Sequence, residues 1–172
     1  LFHASNLRPL KRIDLLLETA SRIRPRESFK LPILAGGNFA PFAGEVRRLG
    51  LADRVIVREN VNDMEDYLQA ADLGLFTSDT ESFCLSILEA MFFGCPSVAR
   101  RVGGIPEVIA DNVTGRLVDS AHADDLAHAV ESLIADQKIR RALGHAAQAS
   151  AQKMFSAEAI VPRYEQLYQR CQ

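Results

Sequence analysis

Short apolar segments alternate with helical patterns along almost the whole of this 172-residue chain. Parallel strands that are buried on both faces appear as such short apolar runs, and they need crossover connections between them. The alternation therefore predicts an α/β fold, with a Rossmann-like parallel sheet and helices on both faces. The predicted strands are residues 1–4, 31–35, 54–58, 73–77, 97–100 and 116–118.

Helical spacing of apolar residues fills the intervals between these strands. Asp63 is predicted to cap one helix. From Ala123 onward the pattern is helical to the end of the chain, and Ser156 is the predicted cap of the last helix. The predicted helices include residues 42–49, 63–71, 105–110, 139–151 and 156–168.

Loops at one edge of the predicted sheet are the expected place for a ligand. Open parallel sheets bind ligands at the carboxyl ends of their strands, where the connecting loops gather. We therefore expect one site, with His3 of the first strand near it. The loops that should meet there are residues 5–12, 36–38, 58–62, 78–82 and 102–105.

Composition is that of one globular domain, at 48% hydrophobic and 24% charged residues. The net charge of -2 and the absence of a basic block argue against a nucleic-acid partner. We expect no transmembrane segment and no signal peptide, because no apolar run has the required length. Cys84, Cys95 and Cys171 lack metal-ligand spacing, which predicts a reducing, cytoplasmic setting and no metal site.

The longest apolar stretch, residues 82–99, contains a single charge, Glu89. Its periodicity predicts a buried helix that begins near Phe83 and ends at Gly94. A buried carboxylate needs partners, because leaving it unpaired costs several kcal/mol. Glu89 therefore bonds to a nearby backbone group or arginine, or it binds a ligand, and both interpretations stay open at this point. The predicted buried face consists of Leu85, Leu88 and Phe92, with Ile87 and Met91 beside them.

A second carboxylate, Glu81, lies in the polar loop between a predicted strand and the helix of Glu89. The backbone N–H groups that open such a helix attract phosphate. Glu89 should lie about 9 Å along the helix axis. The two carboxylates would therefore contact different parts of an extended ligand instead of flanking one bond, as glycosidase acids do. A nucleotide sugar, with phosphate between two hydroxyl-bearing rings, fits this layout.

The carboxylate pair opens an ordered series of motifs. The series is Glu81-x7-Glu89, Ala90-Met91-x-x-Gly94-x-Pro96, Gly103-Gly104-Ile105-Pro106-Glu107-Val108-Ile109 and Thr114-Gly115-x-Leu117-Val118. Together these motifs resemble the donor-binding domain of the retaining glycosyltransferases of family 4, also called group 1, which have the two-domain GT-B fold. The resemblance covers nearly the whole chain. It implies that residues 1–172 are a single nucleotide-sugar-binding domain, the C-terminal half of a GT-B fold, in a fragment that lacks the N-terminal acceptor domain.

The resemblance implies a role for each of the two carboxylates. Glu81 would accept hydrogen bonds from hydroxyl groups of the donor sugar, close to the reaction. Glu89 would accept hydrogen bonds from both ribose hydroxyls, which would supply the partners that a carboxylate in an apolar helix needs.

The resemblance also assigns the diphosphate to cations of the first loop. The family uses an arginine and a lysine five positions apart, and preorganised donors of this kind stabilise the charge that develops on the leaving group. Lys11 matches the lysine, whereas Asn6 stands at the arginine position. Arg8 is expected to replace that arginine, so that Glu81, Lys11 and Arg8 are the predicted catalytic groups. Arg12 is either a solvated loop charge or a further phosphate ligand.

Backbone groups at the start of the buried helix should face the diphosphate and the sugar. The residues that provide them are Phe83, Cys84, Leu85 and Ser86. The family usually has glycine where Cys84 stands. A Cβ at that position narrows the sugar pocket or alters the loop path, so the identity of the donor sugar stays open.

Three further positions complete the predicted donor site. Gly36 either lets the backbone approach the ligand or merely turns the chain. The backbone at Arg58 would read the base, at the place where the family has its base pocket. Gly103 and Gly104 form either an anion nest beside the donor or a tight turn.

The sequence thus predicts the donor-binding domain of a metal-independent retaining glycosyltransferase, which moves a sugar from a nucleoside-diphosphate sugar to an acceptor hydroxyl. No cofactor is expected besides this donor substrate. The segments Ser5-Asn6-Leu7-Arg8 and Glu81-Ser82-Phe83 are similar to the N-acetylglucosaminyl-malate synthases, which favours a UDP-sugar, UDP-GlcNAc first. The acceptor is open, and the fragment alone is expected to be inactive.

Two other functional classes stay open. One is a GT-B-like sugar-nucleotide epimerase or phosphorylase, and the other is a non-catalytic nucleotide-sugar-binding module. The expected partners are the donor, an acceptor and the missing N-terminal domain, through which a cytoplasmic protein would also reach the membrane surface. In the last helix, Tyr164, Leu167 and Tyr168 either cross to that domain or pack locally.

Overall fold

The computed structural model describes residues 1–25 and 29–170, so Cys171 lies outside the described residues. Within these ranges the strands are β1 His3–Ser5, β2 Leu31–Ala35, β3 Val55–Glu59, β4 Gly74–Phe76, β5 Ser97–Arg100 and β6 Gly115–Val118. The α-helices are α1 Ile13–Arg22, α2 Ala43–Arg48, α3 Met64–Ala70, α4 Leu85–Phe92, α5 Ile105–Val108, α6 Ala123–Ala135, α7 Gln137–Phe155 and α8 Ala157–Arg170. None of these helices is both long and apolar enough to cross a membrane.

All strand pairs are parallel, and they form two three-stranded units, β1-β2-β3 and β4-β5-β6. A parallel bridge between Phe2 and Gly74 joins the units, and the Leu75 N–H donates to the Phe2 carbonyl at 2.9 Å. The combined strand order is therefore 3-2-1-4-5-6, which is the Rossmann order. The predicted fold class is confirmed, and the topological switch point lies between β1 and β4.

The apolar core consists of two clusters, one on each face of the sheet. The first cluster gathers side chains of α1 and α6, among them Leu16, Leu17, Leu126, Val130 and Leu133. The second cluster gathers side chains of α4 and α7, among them Ile87, Met91, Ala147 and Ala151. A sheet covered on both faces explains why its strands are continuously apolar instead of alternating.

Helix α4 differs from its prediction in two respects. It begins at Leu85, and not near Phe83, because Cys84 adopts the left-handed conformation at φ 69° and so cannot continue the helix backward. Leu85, predicted to be buried, is 65% exposed. The buried face consists instead of Ile87, Leu88, Ala90 and Met91.

The two predicted helix caps have different outcomes. Ser156 precedes α8, and its hydroxyl accepts a hydrogen bond from the Ala159 N–H at 3.3 Å, which confirms the predicted cap. Asp63 precedes α3, but its side chain makes no capping hydrogen bond, so that prediction is wrong. Helix α8 itself has no buried residue, and Tyr164, Leu167 and Tyr168 are all exposed.

Candidate functional site

A crevice opens at the switch point, between the carboxyl ends of β1 and β4. Its first part is a cavity of 460 Å³, here called the Glu81 cavity. Its second part is a cavity of 270 Å³, here called the Gly36 cavity. The Glu81 cavity is lined by Ala4, Ser5, Asn6, Lys11 and residues 81–86. Four of these residues, Ala4, Ser5, Asn6 and Ser86, also line the Gly36 cavity. The shared walls make the two cavities one continuous crevice, at the edge of the sheet where a ligand site was predicted.

Glu81 is the anion at one end of this crevice, and it is already partnered. The Lys11 ammonium forms an ion pair with Glu81 Oε1 at 2.5 Å, and the Ser78 hydroxyl donates to the same oxygen at 2.8 Å. Only 14% of the Lys11 side chain and 9% of the Glu81 side chain are exposed. The pair therefore combines a fixed negative group and a fixed positive group in a wall that is largely shielded from solvent.

Gly103 and Gly104 hold the backbone of this loop from behind. The Gly104 N–H donates to the Glu81 carbonyl at 2.9 Å. A Cβ on Gly103 would lie 1.9 Å from the Glu81 carbonyl oxygen, and a Cβ on Gly104 would lie 2.0 Å from that of Ser82. Neither glycine lines the Glu81 cavity or the Gly36 cavity. Both glycines therefore pack closely against the backbone of residues 81 and 82.

An arginine network braces the same loop from the other side. Arg100 donates from Nη1 to the Ser78 carbonyl at 3.1 Å and pairs with Asp79 at 2.5 Å. Arg12 pairs with Asp79 at 3.1 Å and with Asp14 at 2.9 Å. The Arg12 guanidinium holds the pKa of the Asp14 carboxyl below its usual value. Arg12 is thus committed to protein carboxylates and lines neither cavity.

Glu89 lies on α4, one helical turn beyond Ser86 and on the same face as that residue. The carboxylate was predicted to be buried, but it is half-buried, because the buried face of α4 consists of Ile87, Leu88, Ala90 and Met91. Within the described residues it has neither a hydrogen bond nor an ion pair. Burial without a partner raises the pKa of Glu89 above its usual value. The carboxylate therefore has its hydrogen-bonding capacity unused in the free protein.

Cys84 occupies the turn that connects the loop to α4. Its φ of 69° and ψ of 73° are in the left-handed region, where glycine is favoured over residues with a Cβ. The side chain is buried, and burial, followed by the nearby Glu81, raises the pKa of the thiol to about 12. A thiol that stays protonated at neutral pH is a poor nucleophile, so Cys84 shapes the cavity instead of reacting there.

The remaining predicted residues divide into two groups. Phe83, Leu85 and Ser86 line the Glu81 cavity, and Gly36 lines the Gly36 cavity. Arg8 is exposed, and its side chain makes no hydrogen bond or ion pair within the described residues. Arg58 is exposed on β3 and donates from Nη1 to the Val57 carbonyl at 3.0 Å, outside both cavities. The residues after β3 that do line the Gly36 cavity are Asn60, Val61 and Met64.

Sequence reasoning missed Ser5, which lines both cavities, and its partner His3 was only placed nearby. His3 is 1% exposed and contacts Ser5 Oγ through Nε2 at 3.0 Å. The available signal was a histidine inside an apolar strand, two residues before a serine. Strand periodicity places residues i and i+2 on one side, so the pair was detectable in principle.

This chain is similar in sequence to known proteins. The sequence family described as glycosyl transferases group 1 matches residues 1–150. N-acetyl-alpha-D-glucosaminyl L-malate synthase from Bacillus anthracis is 34% identical over 169 residues, which are 98% of this chain and 44% of that protein. The chain therefore spans less than half the length of this relative.

Solved structures share the fold. The crystal structure of Anabaena Alr3699/HepE in complex with UDP and glucose matches with a TM-score of 0.90 at 26% identity, over 98% of this chain and 47% of that chain. The C-terminal domain of the glycosyl transferase group 1 family protein LpcC from Francisella tularensis matches with a TM-score of 0.81 at 21% identity, over 91% of this chain and 86% of that chain. The extent of the family match and the identity to the Bacillus protein show that this chain belongs to the glycosyl transferases group 1 family.

Proposed function

We propose that this chain is the donor-binding domain of a retaining glycosyltransferase of family 4, and that it binds a nucleoside-diphosphate sugar. The observation that carries the proposal is the crevice at the switch point, with the paired Glu81 in its wall and the unpartnered Glu89 on the helix face beyond Ser86. The protein from Bacillus anthracis is named for a glucosaminyl product, and Alr3699/HepE was solved with UDP and glucose. The second supports a UDP-sugar as the donor, and the first supports N-acetylglucosamine as the sugar.

The Glu81 cavity would take the sugar and the diphosphate. Glu81 would accept hydrogen bonds from sugar hydroxyls. The Lys11 ammonium and the N–H groups that open α4 would face the diphosphate, whose negative charge grows as its bond to the anomeric carbon breaks. Arg8 is exposed and uncommitted, so it would serve as a second cation for that charge. The new bond to the acceptor oxygen forms on the same face of the sugar, and the leaving phosphate takes the acceptor proton.

The nucleoside would extend toward the Gly36 cavity. Glu89 would bind both ribose hydroxyls, and two such hydrogen bonds would supply the partners that its carboxylate lacks in the free protein. Gly36 lines this cavity and would lie beside the base, and it also packs closely on the first loop, since a Cβ there would lie 3.3 Å from Asn6 Cα. Backbone groups near Asn60, instead of those of Arg58, would then contact the base.

We propose further that a second, N-terminal domain supplies the other partners. An N-terminal domain would bring the acceptor hydroxyl to the open side of the crevice and would cover the exposed apolar residues of α8, namely Tyr164, Leu167 and Tyr168. We propose that the transfer needs no metal, because Lys11 and the helix N–H groups would carry the charge of the diphosphate. A cytoplasmic site of action, with membrane contact through the other domain, is part of the same proposal.

The direct test is calorimetric titration of the chain, without metal, with UDP, UDP-GlcNAc, UDP-glucose, GDP-mannose and NAD. Binding of the uridine series, and not of GDP-mannose or NAD, is expected. Glu89→Gln should weaken that binding, because a neutral amide makes weaker hydrogen bonds to ribose hydroxyls than a carboxylate does. Glu165→Gln, at an exposed position of α8, is the matched control and should leave binding unchanged.

Two results of these titrations would contradict the proposal. Equal affinity of wild type and Glu89→Gln for UDP would show that Glu89 does not bind the ribose. Absence of binding by every nucleotide, with the fold intact by circular dichroism, would contradict the proposal that this domain holds the donor on its own. Product analysis of the full-length protein would separate transfer from epimerisation or phosphorolysis.

A further inference from the structure

His3 is a buried polar residue at the switch point, to which no role has so far been given. It lies on β1 and is 1% exposed. Its Nδ1 lies 2.8 Å from the Leu75 carbonyl of β4, and its Nε2 lies 3.0 Å from Ser5 Oγ. The ring also contacts Phe76, with 5.5 Å between centroids. His3 therefore bridges the two central strands and ends on a hydroxyl of the crevice wall.

The two contacts determine which nitrogen of the ring carries the proton. A backbone carbonyl can only accept a hydrogen bond, so Nδ1 must be the protonated nitrogen that donates to Leu75. Burial lowers the pKa of His3 to about 4, so the ring is neutral at pH 7 and Nε2 holds a lone pair. The charged groups that face it, Lys11 and Glu81, act on its pKa in opposite directions. The Ser5 hydroxyl must therefore donate its proton to Nε2.

This bond decides what Ser5 can offer to a bound molecule. Ser5 lines both the Glu81 cavity and the Gly36 cavity. The Ser5 hydroxyl donates its only proton to His3, so the Ser5 oxygen can act only as a hydrogen-bond acceptor. It therefore attracts O–H and N–H groups and repels phosphate oxygens. The Lys11 ammonium and the N–H groups that open α4 are hydrogen-bond donors for an anion. Ser5 differs from them because it offers an acceptor to the ligand.

We propose that His3 is a positioning residue that holds the Ser5 hydroxyl as a hydrogen-bond acceptor, and that Ser5 contacts a hydroxyl or amide N–H of the donor's sugar rings instead of its phosphates. The second half of this inference rests on the proposed function, whereas the first half concerns the free protein. Ser5 would thereby favour ligands with a donating group at the junction of the two cavities.

The first half is tested without any ligand. Nitrogen-15 NMR of the imidazole between pH 5 and pH 8 should show the Nδ1–H tautomer of His3 throughout, with no titration in that range. Assignment comes from the spectrum of His3→Gln. A resonance of the Nε2–H tautomer, or a titration near the usual pKa of about 6.5, would overturn the inference whether or not the domain binds nucleotides.

The second half is tested by calorimetry with UDP and UDP-GlcNAc. Ser5→Ala should weaken the binding of at least one of them by about 3- to 10-fold, the usual worth of one neutral hydrogen bond. His3→Phe, which keeps the ring but removes the acceptor, should weaken it similarly, and His3→Gln should restore part of the loss. The double variant His3→Phe/Ser5→Ala should bind no worse than Ser5→Ala. A purely structural role of His3 would instead give additive losses, and that result would overturn the inference.

Proton counting separates a sugar contact from a phosphate contact. If Ser5 donated to a phosphate oxygen, His3 could keep its bond to Ser5 only with protons on both nitrogens, and binding would then take up one proton. Titrations at pH 7 in two buffers of different ionisation enthalpy should therefore give the same proton count for wild type and His3→Gln. A proton taken up by wild type alone would overturn the inference. His145→Gln, an exposed histidine on α7, is the control. No binding by wild type would contradict the proposed function, and the NMR result would still decide the state of His3.

Discussion

Glu81 and Glu89 are eight residues apart in the sequence, yet the regions around them are built on opposite principles. Glu81 lies in a loop and has three protein partners: Lys11 and Ser78 bind its carboxylate, and the Gly104 N–H binds its carbonyl. Glu89 lies on a regular helix, and its carboxylate has no partner within the described residues. The more irregular backbone thus carries the better-fixed side chain.

The difference indicates how the two ends of the site would use their charge. Glu81 is already fixed by Lys11 and Ser78 before any ligand binds, so under the proposed function the groups near the reacting bond would need little rearrangement, which favours electrostatic catalysis. Glu89 is partly desolvated without a partner, and a ligand with paired hydroxyls would relieve that cost on binding. Four experiments test this contrast.

Loss of the Lys11 ammonium should lower the stability of the protein more than any other change described below. Lys11→Met leaves the shielded Glu81 carboxylate without its counter-ion, and breaking such a pair lowers the free energy of unfolding by about 3–5 kcal/mol. Urea unfolding followed by circular dichroism measures the change. Arg22→Met removes pairs with Glu18 and Asp124 in which every side chain is at least half-exposed, and it should cost about 0.5 kcal/mol or less per pair. Equal costs for the two variants would show that Glu81 is not fixed by its partner.

Glu89→Gln should have the opposite profile, with lost affinity and no lost stability. Removing charged hydrogen bonds to ribose is expected to weaken UDP binding by about 1.5–3 kcal/mol, or roughly 10- to 100-fold. The free energy of unfolding should stay constant or rise, because an unpartnered charge is removed. Calorimetry with 2′,3′-dideoxy-UDP supplies the check, since wild type and variant should bind that analogue equally. A variant that loses stability instead of affinity would make Glu89 structural.

Gly104→Ala tests whether the Glu81 loop depends on the glycine behind it. The new Cβ would lie 2.0 Å from the Ser82 carbonyl oxygen, so the loop must move, and overpacking of this kind costs about 1–3 kcal/mol of unfolding free energy. UDP affinity should fall as well, because residues 81 and 82 line the cavity. Gly44→Ala is the matched control: no atom lies within 4 Å of its Cβ, and it sits within α2. That variant should gain about 0.5–1 kcal/mol.

The smallest expected effect is the pH dependence that Glu89 adds to stability. Burial raises its pKa in the folded protein above the unfolded value, so the folded state binds the proton more tightly. Stability from this group is therefore lost as pH rises from about 4.5 through the raised pKa, and it is regained as pH falls. The difference in unfolding free energy between wild type and Glu89→Gln should change by less than about 1 kcal/mol between pH 7 and pH 4, because solvent screens a half-exposed group. A change of the opposite sign would mean that the carboxylate has a partner.

Much of the fold was predictable, because strand and helix periodicities are local properties of the chain. The strands Leu31–Ala35 and Ser97–Arg100 were predicted to the residue. The start of α4 was not, because the left-handed turn at Cys84 is imposed by the packing of the loop and cannot be read from a cysteine. The capping bond of Asp63 failed for a similar reason, since a cap depends on the exact path of the preceding chain.

Contiguous residues were enough to predict the succession of strands and helices, the sheet edge where polar loops meet, and Glu81 and Glu89 as candidate ligand contacts. The interactions of these groups come from residues that are far apart in the sequence. Lys11 reaches Glu81 across 70 residues, Gly104 packs on Glu81, and His3 meets Leu75 across 72 residues. Such contacts depend on which strands become neighbours at the switch point, and strand adjacency is a property of the folded sheet that no local pattern encodes.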